Sequence, residues 1–232
     1  VDMYSGMKDA MSRALFSDGY PPFTLPTAPQ HEFEQLNAAP VVPAAFPEWP
    51  GVMDGWGARL LDASLSVAEL AAVGFGLPED TFAGRMRYGP HLLAPTASDF
   101  SRFGAQGTVL AGYHYDLNFL TSHGRSRYPG LYVWTRDGSK RAVKIPHGCL
   151  LVQAGKQAEY LTGGHVLAGF HEVVVTPATV EAIAASAAAA PPRSLWRISS
   201  TLFSHIASDV TLEPVGAFAA DGRNVMGATA TL

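Results

Sequence analysis

Two side chains that commonly ligate metal ions lie two residues apart within residues 112–121. This stretch is predicted as a β-strand, in which residues i and i+2 point to the same face. His114 and Asp116 would therefore project together from one strand. An imidazole beside a carboxylate supplies two of the three protein ligands of an open site for a divalent first-row metal. On its own the pair is a weak signal, because His-x-Asp triplets also arise by chance.

A third ligand would come from another histidine. The chain contains eight histidines, and His171 is the best candidate because it opens a run rich in β-branched residues. The glycines at 163–164 can turn the chain so that this run returns beside the first strand. His165 is the rival. A solvated or ordinarily packed side chain is favoured for the other five, which are His31, His91, His123, His147 and His205.

The chemistry of such a ligand set depends on its open positions. Two histidines and one carboxylate leave half of an octahedron free, as non-haem Fe(II) oxygenases need for a co-substrate and dioxygen. A structural zinc site would be closed by four ligands, often cysteines, and this chain has one cysteine. Arg197 and Ser199 share a face of another predicted strand and could grip a diacid, because a guanidinium holds a carboxylate bidentately. The alternative for Arg197 is an ion pair with a nearby acidic side chain.

The elements that would position these residues are predicted to be mainly strands. Residues 1–17 can form an amphipathic helix, residues 18–50 form a Pro-rich connection, and a helix begins at Asp54 and continues to Val73. The predicted strands cover residues 85–88, 112–121, 130–134, 141–145, 149–153, 170–175 and 196–203. An Ala-rich insertion at 176–192 interrupts them. Short strands separated by turns predict an antiparallel sandwich or barrel.

The composition fits one globular domain of 232 residues, 47% hydrophobic and 16% charged. A net charge of −4 without a Lys/Arg run argues against nucleic acid or an anionic membrane as a partner. No apolar run approaches the ~20 residues of a membrane-spanning helix, and the first residues lack a signal-peptide core. The single cysteine, Cys149, excludes an intrachain disulfide and is predicted to be a buried structural thiol. We expect a cytoplasmic monomer that acts on a small molecule.

Residues 83–206 resemble the iron- and 2-oxoglutarate-dependent oxygenases of the isopenicillin N synthase-like class. Upstream, the Gly-Leu-Pro-x-x-x-Phe pattern at 76–82 also resembles this class. Five further elements carry the resemblance in a fixed order. They are the His-x-Asp-x-x-x-Leu-Thr strand at 114–121, the Gly-Leu-x-Val segment at 130–133, the Pro-x-Gly turn and apolar run at 146–155, the His-x-Val-Val element at 171–174 and the Arg-x-Ser strand at 197–203.

The resemblance implies a fold that is mainly β with flanking helices, namely a double-stranded β-helix, or jelly roll. It divides the chain into three parts. An N-terminal helical and Pro-rich region packed on the core covers 1–82, and the oxygenase core with its Ala-rich insertion at 176–192 covers 83–212. A C-terminal tail covers 213–232. The insertion and the tail are candidate lids.

The resemblance also implies an oxidoreductase, specifically a dioxygenase. Fe(II) would be held by the catalytic ligands His114, Asp116 and His171. The far carboxylate of the co-substrate 2-oxoglutarate would be held by Arg197, Ser199 and Tyr88. Dioxygen would be the oxidant and ascorbate a candidate reductant. A small organic substrate would be hydroxylated, desaturated or cyclised, with release of succinate and CO2.

Three departures from the family pattern stand out. Glu172 replaces the arginine that usually follows the distal histidine. The separation of His171 and Arg197 is 26 residues (197 − 171 = 26), where about ten is usual. The strand that often carries Asn-x-Tyr-Pro reads Met-Arg-Tyr-Gly at 86–89. Two alternatives stay open: an iron oxidase of the same fold that does not use 2-oxoglutarate, and a non-catalytic binding or sensing protein on the same barrel.

Overall fold

The computed structural model describes residues 42–220. The predicted helix at 1–17 and most of the Pro-rich segment lie outside the described residues, as does the end of the tail. The described helices are α1 (Trp49–Gly74), α2 (Asp80–Met86), α3 (Phe100–Phe103), α4 (Lys156–Leu161), α5 (Pro177–Ala187) and α6 (Ala217–Ala220). The described strands are β1 (Leu92–Asp99), β2 (Val109–His114), β3 (Leu120–His123), β4 (Leu131–Trp134), β5 (Lys140–Ala142), β6 (Leu151–Ala154), β7 (His171–Val174) and β8 (Trp196–Ser204).

The eight strands form two antiparallel sheets of four strands each. The first sheet has the order β1-β8-β3-β6 and the second the order β2-β7-β4-β5. Neighbours in each sheet come from distant parts of the chain, as a jelly roll requires. This architecture, with helices flanking mainly antiparallel sheets, confirms the predicted double-stranded β-helix.

Helix α1 covers the outer face of the first sheet. It begins at Trp49, five residues before the predicted start at Asp54, with Pro50 in its first turn, where the missing N–H costs nothing. Leu60 and Leu61 join a core that includes Leu202 of β8. Two hydrogen bonds fix the helix to the sheet: Trp56 Nε1 donates to Ser200 Oγ at 2.9 Å, and the hydroxyls of Ser64 and Ser122 lie 2.8 Å apart.

The contacts with α1 determine which side chains face the barrel interior. Ser200 and Leu202 of β8 point toward the helix. Because successive side chains of a strand alternate, Arg197 and Ser199 point to the opposite, inner face. By the same reasoning Ser122 of β3 faces the helix, while its neighbours Thr121 and His123 face inward.

The prediction of one continuous strand over residues 112–121 is wrong, because residues 115–119 form a loop. β2 ends at His114 and β3 begins at Leu120, so Asp116 lies in the loop between two sheets. The loop backbone is bonded to the start of α4, since Lys156 N donates to the Asp116 carbonyl and Gln157 N donates to the Asn118 carbonyl. These bonds replace the ladder that a continuous strand would need.

Two further local predictions are also wrong. Residues 85 and 86 end α2 and residues 87 and 88 form a turn, because Phe82 and Met86, one helical turn apart, are both fully buried against α1. Cys149 is exposed, since the turn after Pro146 extends through it: Cys149 N donates to the Pro146 carbonyl, and β6 begins only at Leu151.

The Ala-rich insertion is helical over Pro177–Ala187 and begins with a capping box between Thr176 and Thr179. Its role as a lid stays a prediction, as do the domain bounds. The core that joins α1 and α2 to the sheets is continuous. Within residues 42–220 no helix is both long and apolar enough to cross a membrane.

Candidate metal and diacid site

The three predicted metal ligands meet at one end of the barrel. One ligand atom from each of His114, Asp116 and His171 lies within 4.8 Å of the others. His114 ends β2 and His171 begins β7, and the two residues are direct partners in the β2–β7 ladder. Asp116 reaches them from the loop that follows β2. The structure thus brings together residues that are 57 positions apart in the chain (171 − 114 = 57).

The histidine rings are oriented as metal ligands. The Nδ1 of His114 lies 2.6 Å from the carbonyl oxygen of Gly112, and the Nδ1 of His171 lies 3.0 Å from that of Gly169. A carbonyl only accepts, so each Nδ1 carries the proton and each Nε2 has a free lone pair. Both Nε2 atoms face the same carboxylate oxygen, Asp116 Oδ1, at 3.6 and 3.8 Å. Backbone carbonyls behind ligating histidines are typical of metal sites, and this donor set fits a divalent first-row ion such as Fe(II).

Thr121 orients the carboxylate. Its hydroxyl donates to Asp116 Oδ2 at 2.7 Å and also lies 3.1 Å from Asn118 Oδ1. Because Thr121 holds Oδ2, the other carboxylate oxygen, Oδ1, faces the two histidines. Sequence reasoning gave Thr121 no role, although the threonine of the His-x-Asp-x-x-x-Leu-Thr pattern was a signal for it.

The rival third ligand, His165, packs elsewhere. Its ring lies edge-on to Phe75, with centroids 5.6 Å apart, and 5.5 Å from the Phe218 ring. These aromatic contacts hold an exposed ring against the residue that follows α1 and against α6. Of the two candidates weighed from the sequence, only His171 reaches the other ligands.

Arg197 is buried without a carboxylate partner among the described residues. It is 8% exposed, and its Nε has no hydrogen-bond partner. Burial lowers the pKa of the guanidinium, yet a guanidinium stays charged at neutral pH. A buried charge without a partner is costly, so this position calls for an anionic ligand.

A cavity of about 420 Å³ leads from Arg197 to the surface. Its wall is formed by the loop after β3, by the segment after β5 and by His123. Burial lowers the pKa of His123. The hydrogen bond to the Gly124 carbonyl raises it, while the charges of Arg197 and His171 lower it further and the charge of Asp116 raises it. His123 therefore lies within electrostatic reach of both the arginine and the ligand group, although its sequence context favoured an ordinary role.

The other two predicted diacid residues differ in placement. Ser199 shares the inner face with Arg197, and its hydroxyl lies 3.3 Å from that of Thr201. Tyr88 precedes β1. The first residue of β1, Leu92, pairs with Phe203 of β8, whereas Arg197 pairs with Ser98 near the other end of β1. Six residues of β8, roughly 20 Å at about 3.3 Å each, thus separate Arg197 from the end near Tyr88. The structure does not bring Tyr88 to Arg197.

One further inner-face residue escaped sequence reasoning. Gln153 of β6 pairs with Thr121 and is 9% exposed, and its Oε1 has no hydrogen-bond partner. Its position is also close to Gly169, whose carbonyl orients His171. Nothing in the local sequence distinguishes this glutamine from a solvated one, because its burial depends on the β3–β6 pairing.

Solved structures with similar folds identify the architecture. A protein from Caulobacter crescentus assigned to the 2OG-Fe(II) oxygenase family is 29% identical, with a TM-score of 0.65 over 83% of this chain and 58% of that one. The chain has the fold of the 2OG-Fe(II) oxygenases. No protein-family model and no curated protein matches the sequence.

Two more distant structures show the same oxygenase fold with the co-substrate bound. A full-length protein from Neurospora crassa in complex with α-ketoglutarate is 19% identical, with a TM-score of 0.63 over 78% of this chain and 54% of that one. The dioxygenase for auxin oxidation 1 of Arabidopsis thaliana, in a 2-oxoglutarate binary complex, is 18% identical, with a TM-score of 0.58 over 90% and 76%. This chain spans less than two thirds of the length of the Caulobacter and Neurospora chains. The narrower isopenicillin N synthase-like assignment stays a prediction.

Proposed function

We propose that this protein is an Fe(II)- and 2-oxoglutarate-dependent dioxygenase that oxidises a small organic substrate and releases succinate and CO2. The observation that carries the proposal is a pair of complementary sites on one barrel interior. A three-ligand group suited to Fe(II) lies at one end, and a buried arginine without a carboxylate partner among the described residues lies toward the other. A metal-chelating diacid would supply ligand atoms at the first site and a counter-charge at the second.

Each residue has a physical role in this proposal. His114, Asp116 and His171 would hold Fe(II) and leave half of its octahedron open. The chemistry supplied by bound Fe(II) is the coupling of 2-oxoglutarate decarboxylation to oxidation of a second substrate by dioxygen. Arg197 neutralises the far carboxylate of the diacid and fixes its direction, with Ser199 beside it on the same face.

The barrel interior also limits the access of water. Asp116 and His171 are both about nine-tenths buried, and a dry site strengthens electrostatic interactions between the protein and a bound anion. The side chain of His114, by contrast, is 45% exposed. We infer that the organic substrate approaches the metal from the His114 side.

Anaerobic titration with Fe(II) and 2-oxoglutarate tests the binding step. We expect the charge-transfer absorption of a chelated ferrous ion to appear only when both are present. His114→Ala should abolish it, whereas His147→Ala should not, because His147 lies in an exposed turn and is not a member of the ligand group. Wild-type protein that takes up no metal and gives no absorption would exclude the proposal and favour a different role for the barrel.

Turnover measurements separate the proposal from the iron oxidase. Succinate should form in step with oxidised substrate when a metabolite library is screened for co-substrate consumption. Substrate oxidation without succinate would show that Arg197 and Ser199 hold a substrate carboxylate instead. Metal and 2-oxoglutarate binding without oxidation of any compound in the library would favour a binding or sensing protein.

A further inference from the structure

The ligand group and Arg197 reach solvent at different residues. At the ligand group, the His114 side chain is 45% exposed and Leu117, in the loop beside it, is 72% exposed. At Arg197, the cavity of about 420 Å³ is lined by none of the three metal ligands. The metal end and the arginine end of the interior therefore have separate contacts with solvent.

The wall of the Arg197 cavity is cationic. It includes Arg125, Arg127 and Lys144, all exposed, together with Arg197 at its buried end. Among the described residues that line it, none is acidic. The net charge of the whole chain is −4, so this concentration of positive charge is local. Such a wall attracts anions into the cavity.

The exposed cations exceed what the bound diacid requires. A far carboxylate is satisfied by one guanidinium and a hydroxyl, which Arg197 and Ser199 supply from the inner face. Arg127 is engaged at the rim, where its Nη1 donates to the Ser194 carbonyl at 3.2 Å. Arg125 and Lys144 are exposed side chains with no hydrogen bond or ion pair in the described structure, which leaves them free to act at long range on an approaching anion.

We propose that this cavity is the entrance for 2-oxoglutarate and the exit for succinate, separate from the opening by which the organic substrate reaches the metal. The inference rests on the proposed function, since it concerns the route of the same co-substrate. A dianion would be drawn by Arg125 and Lys144, pass along the cavity and meet Arg197 at its inner end. Co-substrate exchange would then not require the organic substrate to leave.

Stopped-flow measurement of the charge-transfer absorption tests the charge contribution. When 2-oxoglutarate is mixed anaerobically with Fe(II)-loaded protein, Arg125→Gln combined with Lys144→Gln should lower the association rate about 3- to 10-fold at low ionic strength. The difference from wild type should vanish near 1 M salt, where the screening length falls to about 3 Å. Arg87→Gln, an exposed arginine beyond the far end of β8, should leave the rate unchanged.

A steric plug tests the route itself. Ser126→Trp narrows the cavity, so it should slow association and dissociation of 2-oxoglutarate by the same factor and leave the dissociation constant unchanged. A variant that damaged the binding site would instead change the dissociation constant. If Ser126→Trp does not fold, Val143→Trp, in the segment after β5 that also lines the cavity, repeats the test.

The outcomes separate this inference from the proposed function. No absorption with wild-type protein defeats the proposed function and with it the route. Normal absorption with wild type, but unchanged rates in both plug and charge variants, overturns the route alone. Slowing by Arg87→Gln equal to that of the Arg125 and Lys144 variant overturns it as well, because the effect would then reflect overall charge.

Discussion

The hydroxyl of Thr121 should control iron affinity without touching the iron. Thr121→Val removes the donor to Asp116 Oδ2, a contact of 2.7 Å, while nearly preserving the shape of the side chain. Thr121 is 2% exposed and Asp116 8% exposed, so water is poorly placed to replace the lost bond. The carboxylate would lose its fixed orientation toward the two histidines.

The free energy of the lost hydrogen bond and the usual effect of losing a ligand-orienting partner predict the same loss of Fe(II) affinity. A hydrogen bond to a charged group contributes about 1.5–3 kcal/mol. Loss of a partner that orients a metal ligand typically costs about 10- to 100-fold in metal affinity, which corresponds to about 1.4–2.8 kcal/mol. We therefore expect the dissociation constant for Fe(II) to rise about 10- to 100-fold in Thr121→Val.

Anaerobic Fe(II) titration measures this change, with Ser122→Ala as the matched control. Ser122 is the next residue of β3, equally buried, and bonded to Ser64 of α1 on the opposite face. Ser122→Ala should lower the stability of the fold and leave the affinity for Fe(II) unchanged. Wild-type affinity in Thr121→Val would refute the orienting role. An equal loss in Ser122→Ala would show that the effect comes from general damage to β3.

Three further expectations follow from buried polar groups. Arg197→Lys should weaken 2-oxoglutarate about tenfold or more in the anaerobic titration, because an ammonium cannot form the bidentate pair; unchanged affinity would place the diacid elsewhere. Gln153→Met should leave the denaturant midpoint at or above that of wild type, since it removes an oxygen without a hydrogen bond; a clear loss would show a hidden partner. Burial lowers the pKa of His91 from 6.5 to about 4 in the folded protein. Because the unfolded chain binds the proton at a higher pH than the folded protein does, the free energy of unfolding should fall by roughly 3 kcal/mol as pH drops from about 6.5 to 4. His91→Asn, which can keep an acceptor for the His205 N–H, should flatten that part of the stability curve, and an unaltered curve would contradict the assignment.

The parts of the site that sequence reasoning predicted are those with strong local constraints. Metal ligation, the role proposed for His114, Asp116 and His171, is possible for only a few residue types. The proposed diacid binding by a strand would need a cation and a hydroxyl on one face, which the alternation of Arg197 and Ser199 provides. Short strands and turns likewise indicate a sandwich or barrel before any pairing is known.

The errors arose where distant contacts override local pattern. Asp116 leaves the predicted strand because the N-terminal N–H groups of α4 bond to its loop, a contact some forty residues away in the chain. The burial of Met86 selects helix over strand only once α1 is in place. The position of Tyr88 relative to Arg197 depends on the β1–β8 register, and nothing local to either residue encodes it.

The direct pairing of His114 with His171 would also couple iron binding to the stability of the fold. His114 and His171 are 57 positions apart, with β3 to β6 between them, and they meet only in the folded β2–β7 ladder, so the unfolded chain lacks the site. An ion held there would bridge β2 and β7 and act as a reversible clip between distant segments. At a free concentration 100 times its dissociation constant, it would add about 2.7 kcal/mol to the free energy of unfolding. The equilibrium stability of the folded protein would then rise and fall with the supply of iron.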